Sequence, residues 1–256
     1  MPAPTNGSTQ LGVDVGGTTI KGAIVDTATG QTTSPIQSRP TPEPATPKAI
    51  GEAIHAIADE LDWNGTIGCA LPGVVESRRL RRAVNLAPVW NEPTSLIDLR
   101  RLFDMDITVL NDADAVGLAE VRYVTPMVGG LAIVLTFGTG IGSALVHDGV
   151  LIENSELGEL GGSHGTFEEA ASGRAVTDAA LDCDRWAEVA QPYFDQLETL
   201  LNPHLWIIGG GLSGSFDSYF GRIKLRSPIR KASLGEHSGL VGAAVAAYEA
   251  QTRKTP

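Results

Sequence analysis

One pattern occurs twice in this chain and restricts its fold more than any other feature: an apolar strand, a glycine turn, a second apolar strand and a polar turn. The first copy is LGVDVGGTTIKGAIVDTATGQ, residues 11–31, in which Leu11, Val13 and Val15 alternate before Gly16-Gly17-Thr18-Thr19, and Ile20, Ala23 and Val25 follow. Period-two alternation around a glycine-rich turn predicts a β-hairpin. The second copy, LAIVLTFGTGIGSALVHDG over 131–149, has the same plan. Such a repeat favours two related βββ-αβα lobes over one continuous sheet. The first lobe is expected at 10–112 and the second at 113–256, with the last helix free to pack back on the first lobe.

The intervening sequence supplies the other elements. Arg39–Pro47 is rich in Pro and Thr and reads as a loop. Pro47–Leu61 carries Ile50, Ala53, Ile54, Ile57, Ala58 and Leu61 at helical spacing. Strands are predicted at 67–75, running through a Pro-Gly turn, and at 107–112. Helices are predicted at 95–103, at 113–123 and through the long stretch 168–201. LWIIGGGLS, 205–213, reads as a strand entering a glycine turn, and the small-residue run 238–250 as a closing helix.

Charge and cysteine content exclude several functions. Thirty acidic residues against nineteen Lys and Arg give a formal charge of −11, which argues against general nucleic-acid binding. Cys69 and Cys183 are the only cysteines, too few for a disulfide framework or a thiolate zinc site. No apolar run approaches the roughly 18–20 residues that span a bilayer, and the first ten residues lack the features of a signal peptide. A soluble, cytoplasmic protein is expected.

The thirty glycines are above the roughly 7% average, and their positions matter. Asp14 before a Gly-Gly-Thr-Thr turn, with Lys21 close behind, brings together backbone N–H groups, hydroxyls and a cation, the parts of a phosphate cradle. Gly138-Thr139-Gly140-Ile141-Gly142 follows the same logic. Either turn alone reads equally well as an ordinary hairpin. Two of them, one per lobe, fit a grip on a single phosphoryl donor. Transfer to a hydroxyl then needs a base, and the strand-end pair Asn111-Asp112 supplies a carboxylate and an amide. By itself that pair reads as a helix cap; its place between two phosphate-type hairpins favours the base.

The segments DVGGTTIKGAIVD, LPGVV, AVNL with the following Trp90, LNDADAVGLAE, LTFGTGIGSALVHDGVL, NSELGEL, IIGGGLS and GLVGAAVAA resemble, in order and spacing, the ROK sugar kinases, and among them the polyphosphate glucokinase branch. The resemblance runs from about residue 11 to residue 248. It implies an α/β fold of the two-lobed actin-like ATPase (ribonuclease H-like) kind with a cleft between lobes. It also implies Mg²⁺-dependent phosphoryl transfer from polyphosphate, with ATP as a second donor, to the 6-hydroxyl of glucose or a related hexose. By the same resemblance Asp14, Gly16, Gly17, Thr18, Thr19 and Lys21 form the first donor loop, with Asp14 placing Mg²⁺ through water. Thr136, Gly138, Thr139 and Gly140 form the second, and Gly209–Gly211, in particular Gly210 and Gly211, meet the nucleoside side of the donor. Gly73, Asn85, Asn111, Asp112, Glu156 and Glu159 border the sugar, with Asp112 as catalytic base. Relatives suggest a homodimer.

Two departures qualify the resemblance. The Cys-rich zinc motif CxCGxxGC of most ROK kinases is missing, as it is in the polyphosphate branch, so Mg²⁺ and no structural zinc is expected. The family's ELGH histidine is replaced by Glu159, and the acidic residue beyond it by Gly161-Gly162. An ionised carboxylate accepts hydrogen bonds from sugar hydroxyls but donates none. A sugar-binding paralogue with altered acceptor specificity or weak catalysis is therefore the alternative. A DNA-binding regulator of the same family would need a helix-turn-helix ahead of the first hairpin, where only about ten residues stand. His164 reads as a loop histidine, and Glu168 and Glu169 as the solvated first turn of a helix. Arg78, Arg79, Arg81, Arg82, Arg100 and Arg101 read either as a track for linked phosphates or as a solvated surface pairing with Glu76 and Asp98 or a subunit contact. Lys224, Arg226, Arg230 and Lys231 share that ambiguity.

Overall fold

The computed structural model of the protein describes residues 9–76, 79–83, 86–91, 103–124, 129–162 and 165–252. The helix predicted at 95–103 lies almost wholly outside these residues, as do Arg78, Asn85, Asp98, Arg100, Arg101 and His164; of Arg79, Arg81 and Arg82 the backbone alone is described. In chain order the elements are β1 (Thr9–Val15), β2 (Thr19–Asp26), β3 (Gln31–Thr32), β4 (Gln37–Pro40), α1 (Pro47–Glu60), β5 (Ile67–Leu71), β6 (Gly73–Glu76), β7 (Arg79–Ala83), β8 (Ile107–Asn111) and α2 (Asp112–Ala119). They continue with β9 (Leu131–Phe137), β10 (Ile141–His147), β11 (Val150–Ile152), β12 (Gly161–Gly162), β13 (Gly165–Thr166), α3 (Cys183–Leu201), β14 (Leu205–Gly209), β15 (Ile229–Lys231) and α4 (Ser238–Thr252).

These elements form two compact units. One comprises the chain up to Ala119 together with His237 onward; the other is Glu120–Glu236. The first sheet has the order β3-β2-β1-β5-β8, with β4 also paired to β2, and the second has β11-β10-β9-β14-β15. In each, the opening strand is antiparallel to the strand that follows it and parallel to the neighbour on its other side. The repeat seen in the two glycine hairpins thus extends through the whole sheet.

Alternation along β1 decides what the first unit buries. Leu11, Val13 and Val15 enter a core with Ile50, Ile54 and Ile57 of α1, so Gly12 and Asp14 belong to the opposite face. The Thr46 hydroxyl caps α1 by accepting from the Ala49 N–H, and Pro47 presets its first turn. Truncating Ile54, which is fully buried, to Ala costs about 2–5 kcal/mol. Against the opposite face lies α4. A Cβ on Gly12 would overlap the Leu240 carbonyl, and one on Gly68 the Ala243 carbonyl. Gly12 and Gly68 are register partners on β1 and β5, so the helix backbone rests directly on both strands. Gly242 brings the same helix equally close to Ala115 of α2.

The core of the second unit is aromatic. Phe137 of β9 packs edge-on against Trp186 at 5.8 Å and Phe220 at 5.3 Å between ring centroids, with Phe194 and Trp206 completing the cluster.

Three local features depart from the sequence reading. Arg39 and Pro40, expected in a loop, belong to β4, because the outer edge of β2 takes Thr19–Gly22 into register with 37–40. The helical stretch expected at 168–201 is three helices, Phe167–Ala171, Gly173–Asp178 and α3, since Ser172 and Asp182 each cap a new start by accepting from the Ala175 and Arg185 N–H groups. Beyond Ala119, α2 widens into a π-helical turn, Glu120–Val124, where the buried Glu120 carboxylate accepts the Ser233 and Leu234 N–H groups.

Candidate active site

In the first unit the site residues gather at the carboxyl ends of parallel strands, where open α/β sheets bind ligands. Asp14 in β1 lies opposite Ala70 of β5, and Asn111 in β8 opposite Leu71, so the two strand ends flank β5. The turn between β1 and β2 is closed by the Gly16 N–H to the Thr19 carbonyl at 3.0 Å. Thr41 braces it from the side, donating its hydroxyl to the Gly16 carbonyl at 2.6 Å and its N–H to the Thr18 carbonyl at 2.9 Å. Gly17 and Thr18 are left exposed.

Electrostatics separate these carboxyls from ordinary ones. Burial raises the Asp14 pKa to about 6, opposed by Lys21, its register partner on β2. Asp112, half-buried at the start of α2, is raised to about 7, first by burial and then by the negative charge of Asp14; backbone N–H groups, including that of Ala113 at 2.9 Å, oppose the shift. Asn111 performs the cap that its position suggested. Its Oδ1 accepts the Asp114 N–H at 3.0 Å and its Nδ2 donates to the Gly73 carbonyl at 3.1 Å, which ties the LPGVV turn to the strand end. One Asn111 N–H remains outside these two bonds.

In the second unit the β9–β10 turn is closed by the Gly138 N–H to the Gly140 carbonyl at 2.9 Å, and Arg174 donates its backbone N–H to the Gly138 carbonyl at 3.1 Å. Glu168 is not a solvated helix-start residue as the sequence suggested. Its Oε2 accepts the Ile141 N–H at 2.8 Å, and its carboxyl occupies the space a Cβ on Gly140 would need. Glu169 instead forms a capping box with Thr166. Gly210 has φ 77° and sits on the Phe137 backbone, its missing Cβ 2.5 Å from the Phe137 carbonyl oxygen, so Gly210 and Gly211 adjoin the end of β9. Thr136 is half-buried and Thr139 exposed. Glu156 precedes the turn Leu157–Glu159 and Glu159 ends it. This turn is fixed to β10 by the Leu157 N–H on the Ser143 hydroxyl at 3.0 Å and by Gly158, whose missing Cβ would lie 2.5 Å from the Ile141 carbonyl oxygen.

The first unit therefore brings together Asp14, Gly16–Thr19, Lys21, Gly73, Asn111 and Asp112. The second sets Gly210 and Gly211 at the end of β9 beside Thr136 and Gly138–Gly140, and carries Glu156 and Glu159 on a turn fixed to β10. Asn85 lies outside the described residues. Sequence reasoning missed Thr41, Glu168 and Gly239, the last of which lies against Asp14. Among the described residues no group of three or more His, Cys, Asp or Glu is placed to hold a metal ion, and no helix is long and apolar enough to cross a membrane.

Comparison with known proteins identifies the family. A polyphosphate glucokinase of Mycobacterium tuberculosis is 38% identical over 249 residues, covering 96% of this chain and 93% of that protein. Among solved structures, the inorganic polyphosphate/ATP-glucomannokinase from Arthrobacter sp. strain KM aligns with TM-score 0.88 and 37% identity over 95% of this chain and 99% of that one. A ROK family glucokinase from Streptomyces griseus, solved with glucose and AMPPNP, shares the fold at TM-score 0.78 and 24% identity, covering 94% and 99% of the two chains. The fold is that of the actin-like ATPases to which these sugar kinases belong. The family profile described as "ROK family" matches residues 10–188, and the chain belongs to that family.

Proposed function

We propose that this protein transfers the terminal phosphoryl group of polyphosphate, and of ATP as a second donor, to the 6-hydroxyl of glucose. The observation that carries the reading is Asp112: a carboxyl at the carboxyl end of a parallel strand with its pKa raised to about 7, the range a general base needs at neutral pH. As the bond from O6 to phosphorus forms, the O6 proton passes to Asp112, and the bond from phosphorus to the rest of the donor breaks, leaving the donor one phosphate shorter. The remaining Asn111 N–H would hold a neighbouring sugar hydroxyl, with Gly73, Asn85, Glu156 and Glu159 completing the sugar's surroundings.

By family resemblance the donor-binding residues are Gly16–Thr19, Lys21, Thr136, Gly138–Gly140, Gly210 and Gly211. A Cβ at Gly138 or Gly211 would meet nothing within 4 Å, which leaves the backbone there open to close approach by phosphate oxygens. Mg²⁺ suits the donor set, because carboxylate oxygen is its preferred protein ligand and the repulsion between Asp14 and Asp112 is the kind a cation relieves. When bound, it would neutralise charge on the donor phosphates, with Asp14 reaching it through water. A homodimer in the cytoplasm completes the reading, and light scattering at twice the chain mass tests the first of these.

Names of relatives at 37–38% identity support a sugar kinase that uses polyphosphate. The test is purified protein with glucose and either polyphosphate or ATP, following glucose 6-phosphate through a coupled dehydrogenase. Turnover with at least one donor is expected. Glucose binding by calorimetry without turnover on either donor would instead select the sugar-binding paralogue.

A further inference from the structure

The first turn of α4 belongs to neither glycine hairpin, yet it touches a carboxylate assigned to the reaction. A Cβ on Gly239 would lie 2.5 Å from Oδ2, 2.7 Å from Cγ and 3.1 Å from Oδ1 of Asp14, where ordinary contact begins at 3.4 Å. The absent methyl group therefore leaves the space that the whole carboxyl occupies. The helix cannot be pressed closer, and swinging the end of a flexible side chain costs less than lifting a packed helix off two strands. Its backbone at Leu240 and Ala243 already rests on Gly12 and Gly68, and Gly242 rests on Ala115. Backbone contacts of that kind leave no side chain to swing aside. The group that yields to a methyl at residue 239 is the Asp14 side chain.

We propose that Gly239 is a positioning residue for phosphoryl transfer: its lack of a side chain lets the Asp14 carboxylate dock on the first turn of α4. The carboxylate's location is then set jointly by β1 and by a helix more than 220 residues later in the chain. The proposal rests on the kinase reading above and adds to it a residue that touches neither sugar nor donor. Alanine is ordinarily the better helix former, so at an unconstrained site Gly239→Ala would stabilise. A loss is the discriminating result.

The experiment compares the full chain with Gly239→Ala, Asp14→Ala and the double variant. Gly239→Ala alone should lower the melting midpoint by about 5 °C. In the Asp14→Ala background the same change should be neutral or raise the midpoint, because the methyl enters space the carboxyl has left. In the otherwise unaltered chain, Gly239→Ala should reduce kcat by about ten- to a hundredfold, the size of loss a displacement of about 1 Å can cause. KM for glucose should stay within about twofold, while half-saturation by Mg²⁺ rises. An equal drop in midpoint in both backgrounds would assign Gly239 to packing alone and overturn the proposal, as would kcat within twofold of the unaltered chain. If Gly239→Ala fails to fold, the double variant should fold; its failure also overturns the idea. Absence of kinase activity in the unaltered chain would sink the proposed function, while the melting comparison still decides whether Gly239 and Asp14 are coupled.

Discussion

The two sheets follow one path but hold different chemistry at equivalent positions. Counted back from the first glycine of each turn, Asp14 in β1 corresponds to Thr136 in β9, and the register pair Gly12–Gly68 corresponds to Val134–Ile207. In the first unit the glycine pair admits a helix backbone beside two raised carboxyls. In the second the paired positions carry fully buried aliphatic side chains, which keep the next layer at side-chain distance. The first hairpin carries its own carboxylate, whereas the second borrows one, Glu168, to satisfy the Ile141 N–H. Period-two patterning fixes the path of a sheet; the residue four positions before the turn decides how close the next layer comes, and the residue two before it decides the charge.

The largest effect should come from the charge. Asp112→Asn should lower kcat by about 10³-fold while leaving the fold intact, since an amide fills the same volume but accepts no proton. Circular dichroism and the coupled assay check the two halves of that statement, and near-normal turnover would remove Asp112 as the base. Next is the packing exchange. Gly68→Val gives β5 the kind of side chain β14 carries, and its Cβ would overlap the Ala243 carbonyl, so a loss above about 3 kcal/mol and insoluble protein are expected. The opposite change, Val134→Ala in the second unit, removes two buried methyl groups and should cost only about 2 kcal/mol by urea titration. Equal costs would show that the two sheets do not differ in packing distance as described. Comparable in size is Glu168→Ala, which strips the Ile141 N–H of its charged acceptor and should cost about 1.5–3 kcal/mol.

Legibility of these features followed the range of the interactions. Both hairpins, α1 and the strand ends at Asn111 and Gly209 were legible because alternation, helical spacing and glycine turns are local signals. The helix-cap reading of Asn111 is what its hydrogen bonds show, and the base assignment to its neighbour Asp112 is an independent matter of burial and charge. Three helices were read as one over 168–201 because hydrophobic spacing reports faces and is blind to Ser172 and Asp182 as caps. Glu168 looked like a solvated first-turn acid because nothing nearby in sequence reveals that it reaches Ile141, 27 positions away. The contacts of Gly12, Gly68, Gly239 and Gly242 were invisible for the same reason: glycine in sequence says that space is short without saying what fills it.

The two units should also answer pH with opposite sign. The raised values of Asp14, about 6, and Asp112, about 7, mean that the native state keeps protons that the unfolded chain, with carboxyl pKa near 4, has already released. Their contribution to stability is full below about pH 4 and is lost as pH rises through 6 and 7. Glu198 in the second unit runs the other way. Burial pushes its pKa up, but the N–H groups of Arg226 and Ser227 and the Arg226 guanidinium outweigh this and hold it below the usual value. Its contribution is present above the ordinary glutamate range and disappears only as pH falls through the lowered value. Between pH 5 and 7, then, among the described groups with shifted values those of the first unit set the slope. The melting midpoint should fall over that interval while kcat/KM for glucose rises toward a plateau just above 7, because the same ionisation that weakens the fold creates the base. Asp112→Asn should flatten the midpoint profile there and raise its value at pH 8. Glu198→Gln should lower stability at pH 7 and leave the slope between 5 and 7 as it was; a slope that survives Asp112→Asn and vanishes with Glu198→Gln would place the titrating group in the wrong unit and reverse the comparison.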